Sequence, residues 1–378
     1  MKDTYISEAV KYIGADDTTL DLFESQYQIP NGVSYNSYVI LDEKVAVMDT
    51  IDERKTDEWF ANLENVLNGR TVDYLVISHL EPDHAANIKR AADKFPQAQL
   101  VQFFDIAHLE ERCLVVKEGD TLELGTHKLH FVMAPMVHWP EVMVEYEETE
   151  KILFSADGFG KFGALSAEEE WTDEARRYFI NIVGKYGVQV QTLLKKAAAL
   201  DIQTICPLHG PVLKENLGFY IGKYLTWSSY EPEEDGVLVA CASIHGNTKA
   251  AAEKMVEVLR ANGASKVVFM DLTRDDMAEA VADAFRYGKI ILAAASYDAG
   301  VFPPMEDFLH RLVHKNLQKR TFGLIENGSW APCAAKGMKG ILEGMKEVNI
   351  CENVVSIKST MKDTDVAKME ELAKEILA

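Results

Sequence analysis

Between Val76 and His84 the sequence reads Val-Ile-Ser-His-Leu-Glu-Pro-Asp-His, an apolar run that ends in four potential metal ligands: His79, Glu81, Asp83 and His84. Neither one strand face nor one helix stripe presents all four, because strand side chains alternate with period two and helical ones repeat near 3.6. The run therefore predicts a loop whose ligands converge on a point. The same event recurs three times. Residues 128–134 run out to His138, 151–155 to Asp157, and 202–206 to His209. Each later residue alone reads as an ordinary loop or core residue. Four strand ends delivering His79, Glu81, Asp83, His84, His138, Asp157 and His209 together read as a metal site.

The donor set narrows the metal. Glu81, Asp83 and Asp157 offset most of the charge of two divalent ions, and one hydroxide completes neutrality. Imidazole and carboxylate without thiolate suit iron or manganese at least as well as zinc, and zinc has no redox chemistry. Iron is the expected metal, with a carboxylate, Asp157, bridging a pair.

A second chemistry lies near residue 245. Ser243-Ile244-His245-Gly246-Asn247-Thr248 follows a strand and opens a helix over 249–259. A hydroxyl- and glycine-rich turn at a helix N-terminus binds phosphate through backbone N–H groups and the helix dipole, although the turn alone also reads as a simple helix cap. It has neither the Gly-x-Gly-x-x-Gly of dinucleotide binders nor the Gly-Lys-Thr of a P-loop, so a terminal monophosphate fits it better. Two more strand ends, Ser296-Tyr297-Asp298-Ala299-Gly300 and Glu326-Asn327-Gly328-Ser329-Trp330, fall where open α/β sheets bind ligands.

The elements that must position these groups follow from periodicity. Residues 31–49 alternate as a hairpin through Asp42-Glu43-Lys44, and helical spacing covers 54–67 and 84–94, the latter starting inside the ligand run. Two β-sheets between helices, with the site at one rim, are expected. Asp49 is placed to support the ligand loop as an outer carboxylate that orients imidazoles. The segment 166–200 is helical, and Phe159, Phe162, Trp171, Tyr178 and Phe179, with Trp139, read first as core and then as possible walls of the metal pocket. A polar connector at 228–236 separates two domains, 1–235 and 236–378. Beyond it, strands at 237–241, 266–272, 289–295, 321–325 and 354–358 alternate with helices, which makes a doubly wound parallel sheet.

Bulk properties exclude other classes. The 378 residues are 47% hydrophobic and 26% charged, ordinary for a globular chain. A formal charge of −21 argues against nucleic acid and anionic membrane. With no signal-peptide layout and no apolar run of spanning length, a cytoplasmic protein is expected. The five cysteines are odd in number and form no Cys-x-x-Cys, so neither a disulfide framework nor a four-cysteine iron module is expected. Cys206, which forms Cys-x-x-His with His209, reads as a buried strand thiol. Electrons for any redox reaction are expected from a separate donor.

The pattern His79-x-Glu81-x-Asp83-His84, then His138, Asp157 and His209, followed by the flavodoxin-like second half, resembles the flavodiiron proteins over essentially the whole chain. That family reduces dioxygen or nitric oxide. The resemblance implies an N-terminal metallo-β-lactamase-like αββα sandwich followed by a C-terminal flavodoxin-like doubly wound sheet. Glu81 stands where hydrolases of that fold usually carry histidine, the family's mark of iron over zinc. By resemblance, His79, Glu81 and His138 hold one iron, Asp83 and His209 the other, and Asp157 lies between, while His84 either binds iron or gives way to water. Ser243 and Thr248, in the loop with His245, Gly246 and Asn247, hold the phosphate of FMN. The loops carrying Ser296, Tyr297, Asp298 and Gly300, and Asn327, Gly328, Ser329 and Trp330, flank its ring. Tyr297 and Trp330 stack or edge the ring, and Asp298 tunes its nitrogens. Also implied are rubredoxin or a flavin reductase as donor and a head-to-tail homodimer or a dimer of such dimers. Reduced flavin and a diferrous pair together hold the four electrons that take O2 to two waters; two NO to N2O needs two. Rival readings are a zinc hydrolase of the same fold with a flavodoxin-like docking module, and an FMN-binding redox carrier with a vestigial metal site.

Overall fold

The computed structural model describes residues 5–102 and 109–378. They form two compact units, one of residues up to Phe179 with Val188–Leu225, the other of Ile180–Gly187 with Thr226–Ala378.

In the first unit, the hairpin Tyr38–Leu41 and Val45–Met48 pairs antiparallel and turns at Asp42-Glu43-Lys44, as its alternation predicts. It anchors a six-stranded sheet in the order Val10–Tyr12, Tyr38–Leu41, Val45–Met48, Tyr74–Val76, Gln99–Gln102, Cys113–Val115. A second sheet runs Thr121–Glu123, Lys128–Met133, Met143–Glu147, Ile152–Phe154, Thr204–Cys206. Inward residues of the two sheets share one core: Tyr38, Ile40, Met48 and Val76 from the first, Leu129, Phe131, Met143, Phe154 and Cys206 from the second. Cys206 is thus the buried strand thiol its sequence suggests. Helix Thr56–Leu67 covers the outer face of the first sheet. It buries Thr56, Trp59, Leu63 and Leu67, spaced three and four apart on one stripe, and ends at Asn68 in the left-handed conformation. The helix expected over 84–94 is two pieces, Pro82–Ala85 and Ile88–Lys94. Asn87, between them, spends its side chain on tertiary bonds, donating to Ile51 O at 2.6 Å and accepting from Thr56 Oγ1 at 2.7 Å. On the outer face of the second sheet lies helix Gly187–Ala197, reached through helix Trp171–Tyr178 and a widened turn over Phe179–Val183. The layers are those of an αββα sandwich.

In the second unit five strands run in the order Val267–Asp271, Glu234–Ala242, Tyr287–Tyr297, Arg320–Asn327, Val348–Ile357, all parallel. In chain order this is 2-1-3-4-5, the flavodoxin-like arrangement. Helices cover both faces, so central strands are apolar on both sides; residues 237–242 and 290–294 are wholly buried. Among the described residues no helix is long and apolar enough to cross a membrane.

Candidate functional site

The ligand loop leaves strand Tyr74–Val76 and is held by Asp49, which follows strand Val45–Met48 with φ +57°. Asp49 Oδ1 accepts from the N–H of Ser78 (2.8 Å) and of His79 (3.3 Å), and Oδ2 from Ser78 Oγ (2.6 Å). Asp49 therefore fixes the loop's backbone rather than an imidazole. The imidazole of His79 has another partner. Its Nδ1 lies 2.8 Å from Glu141 Oε1, which also accepts from Leu80 N at 3.0 Å. Pro82, at the first helical position, then starts the turn Pro82–Ala85 that carries Asp83 and His84.

The seven nominated ligands come together in two groups, His79, Glu81, His138 and Asp157, then Asp83, His84 and His209. In the first, His138 Nε2 stands 3.1 Å from Glu81 Oε2 and 3.0 Å from Asp157 Oδ2, and His79 Nε2 is 3.2 and 3.5 Å from the same oxygens. In the second, Asp83 Oδ1 is 3.5 Å from His84 Nε2 and Oδ2 is 3.3 Å from His209 Nε2. The remaining oxygen of Asp157, Oδ1, faces this group, 3.2 Å from His84 Nε2 and 3.9 Å from His209 Nε2. Two donors on one ion at about 2.1 Å stand about 3.0–3.4 Å apart, so the spacing suits shared coordination. Both oxygens of Asp83, both ring nitrogens of His84, Asp157 Oδ1 and His209 Nε2 are buried without a hydrogen-bond partner. Five of these six, all but His84 Nδ1, belong to the second group or face it, and so many buried unpartnered atoms are costly unless a cation satisfies them.

His209 is oriented from far away in sequence. Its Nδ1 lies 2.8 Å from Ser34 O, and Ser34 Oγ accepts from Gly210 N at 2.7 Å. Asn36 Nδ2 donates to Pro207 O and Gly210 O, both at 2.8 Å. Replacing Asn36 with alanine strands Gly210 O and the Tyr12 hydroxyl, which donates to Asn36 Oδ1 at 3.2 Å, while Pro207 O keeps the Tyr38 hydroxyl at 2.6 Å; the loss should cost about 2–3 kcal/mol, read as a lower urea midpoint at constant slope. Rings of Phe23, Tyr35 and Tyr178 pack on His209 (centroids 5.5, 5.9 and 5.5 Å), and Trp139 on His79 (5.3 Å). Of the aromatics nominated from sequence, Trp139 and Tyr178 wall the site; Phe162 packs behind, on Phe23 and Tyr178.

Without a metal, protons take its place. Burial pulls the His79 pKa down, but bonds to Glu141 and Glu81 outweigh it and raise it to about 10. Burial is likewise overcome at His138, which Asp157 and Glu81 lift to about 9. Glu81 is pushed up by burial but held down to about 2 by His138 and His79. Metal must displace these protons. At pH 8, metal uptake by the metal-free protein should release protons from both His79 and His138, measurable with an indicator in weak buffer. Both pKa values are raised above the unfolded value of about 6.5. Their contribution to the metal-free fold is thus fully present below that pH and is lost as pH rises through about 9 to 10.

Sequence reasoning missed Glu141 and Glu145. Glu145 occupies a buried position of strand Met143–Glu147 and accepts from Ser78 Oγ at 3.0 Å. A charge within an otherwise inward-facing strand pattern is the signal that marks it. Glu141 had no comparable signal beyond lying three residues after His138.

In the second unit, a cleft of about 140 Å³ opens at the carboxyl ends of the strands. Its walls include His245, Asn247, Thr248, Ser296, Asn327, Gly328 and Ser329 of the nominated residues, and Ile244, Ala295 and Ser359, which were not nominated. Ser359 follows the last strand; the strand-end rule applied there would have found it. Gly246 caps helix Asn247–Ala261 at φ +92°, a conformation that favours glycine, and its N–H donates to Ser243 Oγ at 3.1 Å. Ser296 Oγ instead caps a neighbouring helix, accepting from Cys333 N (2.8 Å) and Ala334 N (3.2 Å). Tyr297, Asp298 and Gly300 sit on the turn into strand Gly300–Val301, outside the cleft wall, and Trp330 is 85% exposed. A helix N-terminus for a phosphate, with exposed aromatic rings on the adjoining strand-end loops, suits the chemistry of a flavin mononucleotide.

Residues 33–210 match the family described as ODP family beta lactamase. The anaerobic nitric oxide reductase flavorubredoxin of Aliivibrio fischeri is 27% identical over 346 residues, covering 86% of this chain and 70% of that protein. Among solved structures, the rubredoxin oxygen:oxidoreductase of Desulfovibrio gigas superposes with a TM-score of 0.90 at 24% identity, covering 99% of this chain and 97% of that one. The flavodiiron protein of Giardia intestinalis gives 0.88 at 23% identity, covering 100% and 97%. The sandwich and the doubly wound sheet are thus the metallo-β-lactamase-like and flavodoxin-like folds.

Proposed function

We propose that this chain is a flavodiiron protein, an oxidoreductase reducing O2 to water, NO to N2O, or both, at a non-haem diiron site fed through FMN. The observation that carries this reading is Asp157, whose Oδ2 lies 3.0 Å from His138 Nε2 while its Oδ1 lies 3.2 Å from His84 Nε2. One carboxylate reaching both groups is what a bridged pair of ions requires. His79, Glu81 and His138 are proposed to hold one iron, and Asp83, His84 and His209 the other. His84 is included because it lies within the second group with both ring nitrogens unpartnered.

Bound iron and FMN supply the electron storage and relay; the chain supplies the rest. Glu141 fixes His79 with Nε2 toward the metal, and Ser34 does the same for His209. Buried Asp157 and half-buried Glu81 keep the centre near neutrality, so a neutral gas enters without a charge penalty. Trp139, Phe23 and Tyr178 limit water around it. In the second unit, Ser243, His245, Gly246, Asn247 and Thr248 are proposed to hold the FMN phosphate, with Ser296, Asn327, Gly328 and Ser329 around the cleft and Tyr297, Asp298, Gly300 and Trp330 next to the ring. Residues 1–235 and 236–378 are the proposed diiron and FMN domains.

The finer assignments extend the same reading. Rubredoxin or a flavin reductase would donate electrons, and a head-to-tail homodimer in the cytoplasm, alone or as a dimer of dimers, would bring one subunit's FMN toward its partner's irons. A zinc hydrolase is not favoured, because Glu81 replaces a histidine ligand and the second unit carries a strand-end cleft with a phosphate-binding turn. The deciding experiment mixes protein reduced at iron and flavin with O2 or with NO and follows flavin oxidation and products. Rapid oxidation with water and no free peroxide marks an oxygen reductase, and N2O an NO reductase. Slow oxidation by both gases would overturn the proposal.

A further inference from the structure

Behind the ligand cluster, between the outer face of the second sheet and helix Gly187–Ala197, lies a cavity of about 30 Å³. Val132, Val144 and Leu153 line it from the sheet, and Val190, Leu194 and Ala197 from the helix. Room of about 10–15 Å³ holds one water-sized body, so a diatomic molecule fits. Its walls are almost wholly hydrocarbon, and a water there would lack the two to four polar partners it needs.

Its position gives this space a use. Ser155, Gly158 and Phe159 line it on the turn that carries Asp157, and Val137, the neighbour of His138, lines it too. The turn is tight: Ser155 Oγ donates to Gly158 O at 2.6 Å, and Phe159 has φ +66°. The backbone that points Asp157 toward the metal groups thus turns its flanking residues Ser155, Gly158 and Phe159 toward the cavity. At the other end, Leu193, Leu194, Ala197 and Leu200 are only half-buried, so the hydrocarbon path approaches solvent beside the helix.

We propose that this cavity binds small apolar gas molecules and delivers them to the metal site past Val137 and Phe159. Neutral diatomics such as O2 and NO dissolve better in hydrocarbon than in water, so a dry cavity beside the centre concentrates the substrate and keeps water out. The delivery half of the proposal rests on the function given above; the binding half does not.

The test therefore has two parts on the full-length holoprotein. Crystals pressurised with xenon should show it between Val137, Leu153 and Leu194. Filling the cavity by Leu194→Trp, or from the half-buried end by Ala197→Phe, should raise the KM for the gas roughly tenfold while kcat, iron and flavin content stay close to wild type. An empty cavity under xenon overturns the proposal, whatever the protein reduces. So does bound xenon with a KM that neither folded, filled variant changes. Xenon bound in a wild-type protein that reduces neither gas would overturn the functional reading and delivery with it.

Discussion

Asp157→Ala should leave a protein that binds flavin but retains less than about a tenth of its iron, and that no longer reduces either gas. Loss of even an outer hydrogen-bond partner costs roughly 10–100-fold in metal affinity, and Asp157 is the proposed shared ligand, with one oxygen toward each group. Its carboxylate stands within 3.5 Å of His79, His84 and His138. The pKa of Asp157 is pushed up by burial but driven well below the usual carboxylate range by His84 and then by His138. Removing it leaves imidazoles facing one another with no anion between. Iron by plasma emission, flavin by absorbance and single-turnover gas consumption check the three parts separately. Gas reduction at the wild-type rate in this variant would mean that the metal site is vestigial and that the protein is a flavin carrier.

The second large effect belongs to a residue that touches no metal. Glu141→Ala removes the acceptor for His79 Nδ1 and for Leu80 N, now held at 2.8 and 3.0 Å. The imidazole is then free to rotate or change tautomer, and iron affinity in the first group should fall about 10–100-fold. The second group is oriented by Ser34 and should change far less. At limiting iron the variant should therefore hold close to one ion per chain, seen as an uncoupled single ion rather than a coupled pair in magnetic spectra. Glu141→Gln, which keeps the shape and an acceptor oxygen, should recover most of the loss. Equal loss from both groups would show that Glu141 acts on the fold, not on His79.

Much of this architecture is legible in the sequence because it follows from local periodicity. The hairpin around Asp42, the stripe of Trp59, Leu63 and Leu67, and the five strands of the second unit each carry their pattern within a few residues. The seven clustered ligands are legible for a related reason: each ends a strand or sits in the loop that follows one. What was not legible depends on distance in the chain. Asn87 breaks a helix because Ile51 and Thr56 need its amide, and no helical pattern in residues 84–94 contains that fact. Glu141 and Ser34 orient imidazoles 62 and 175 residues away. Asp49 was correctly placed near the loop, yet its bonds go to backbone N–H groups, a choice set by the three-dimensional course of Ser78 and His79. Ser296, nominated for a ligand, lines the cleft and in addition caps a helix, because residues 333 and 334 return to it only in the fold.

The long reach from Ser34 to His209 also sets a clock on synthesis. The first group of ligands is complete once residue 157 has been made, whereas the second waits for His209, another 52 residues (209 − 157) along the chain. At about 10 residues per second this is a delay of roughly five seconds. If the two groups hold metal as proposed, a chain truncated before His209 keeps every candidate ligand of the first group and lacks one of the second.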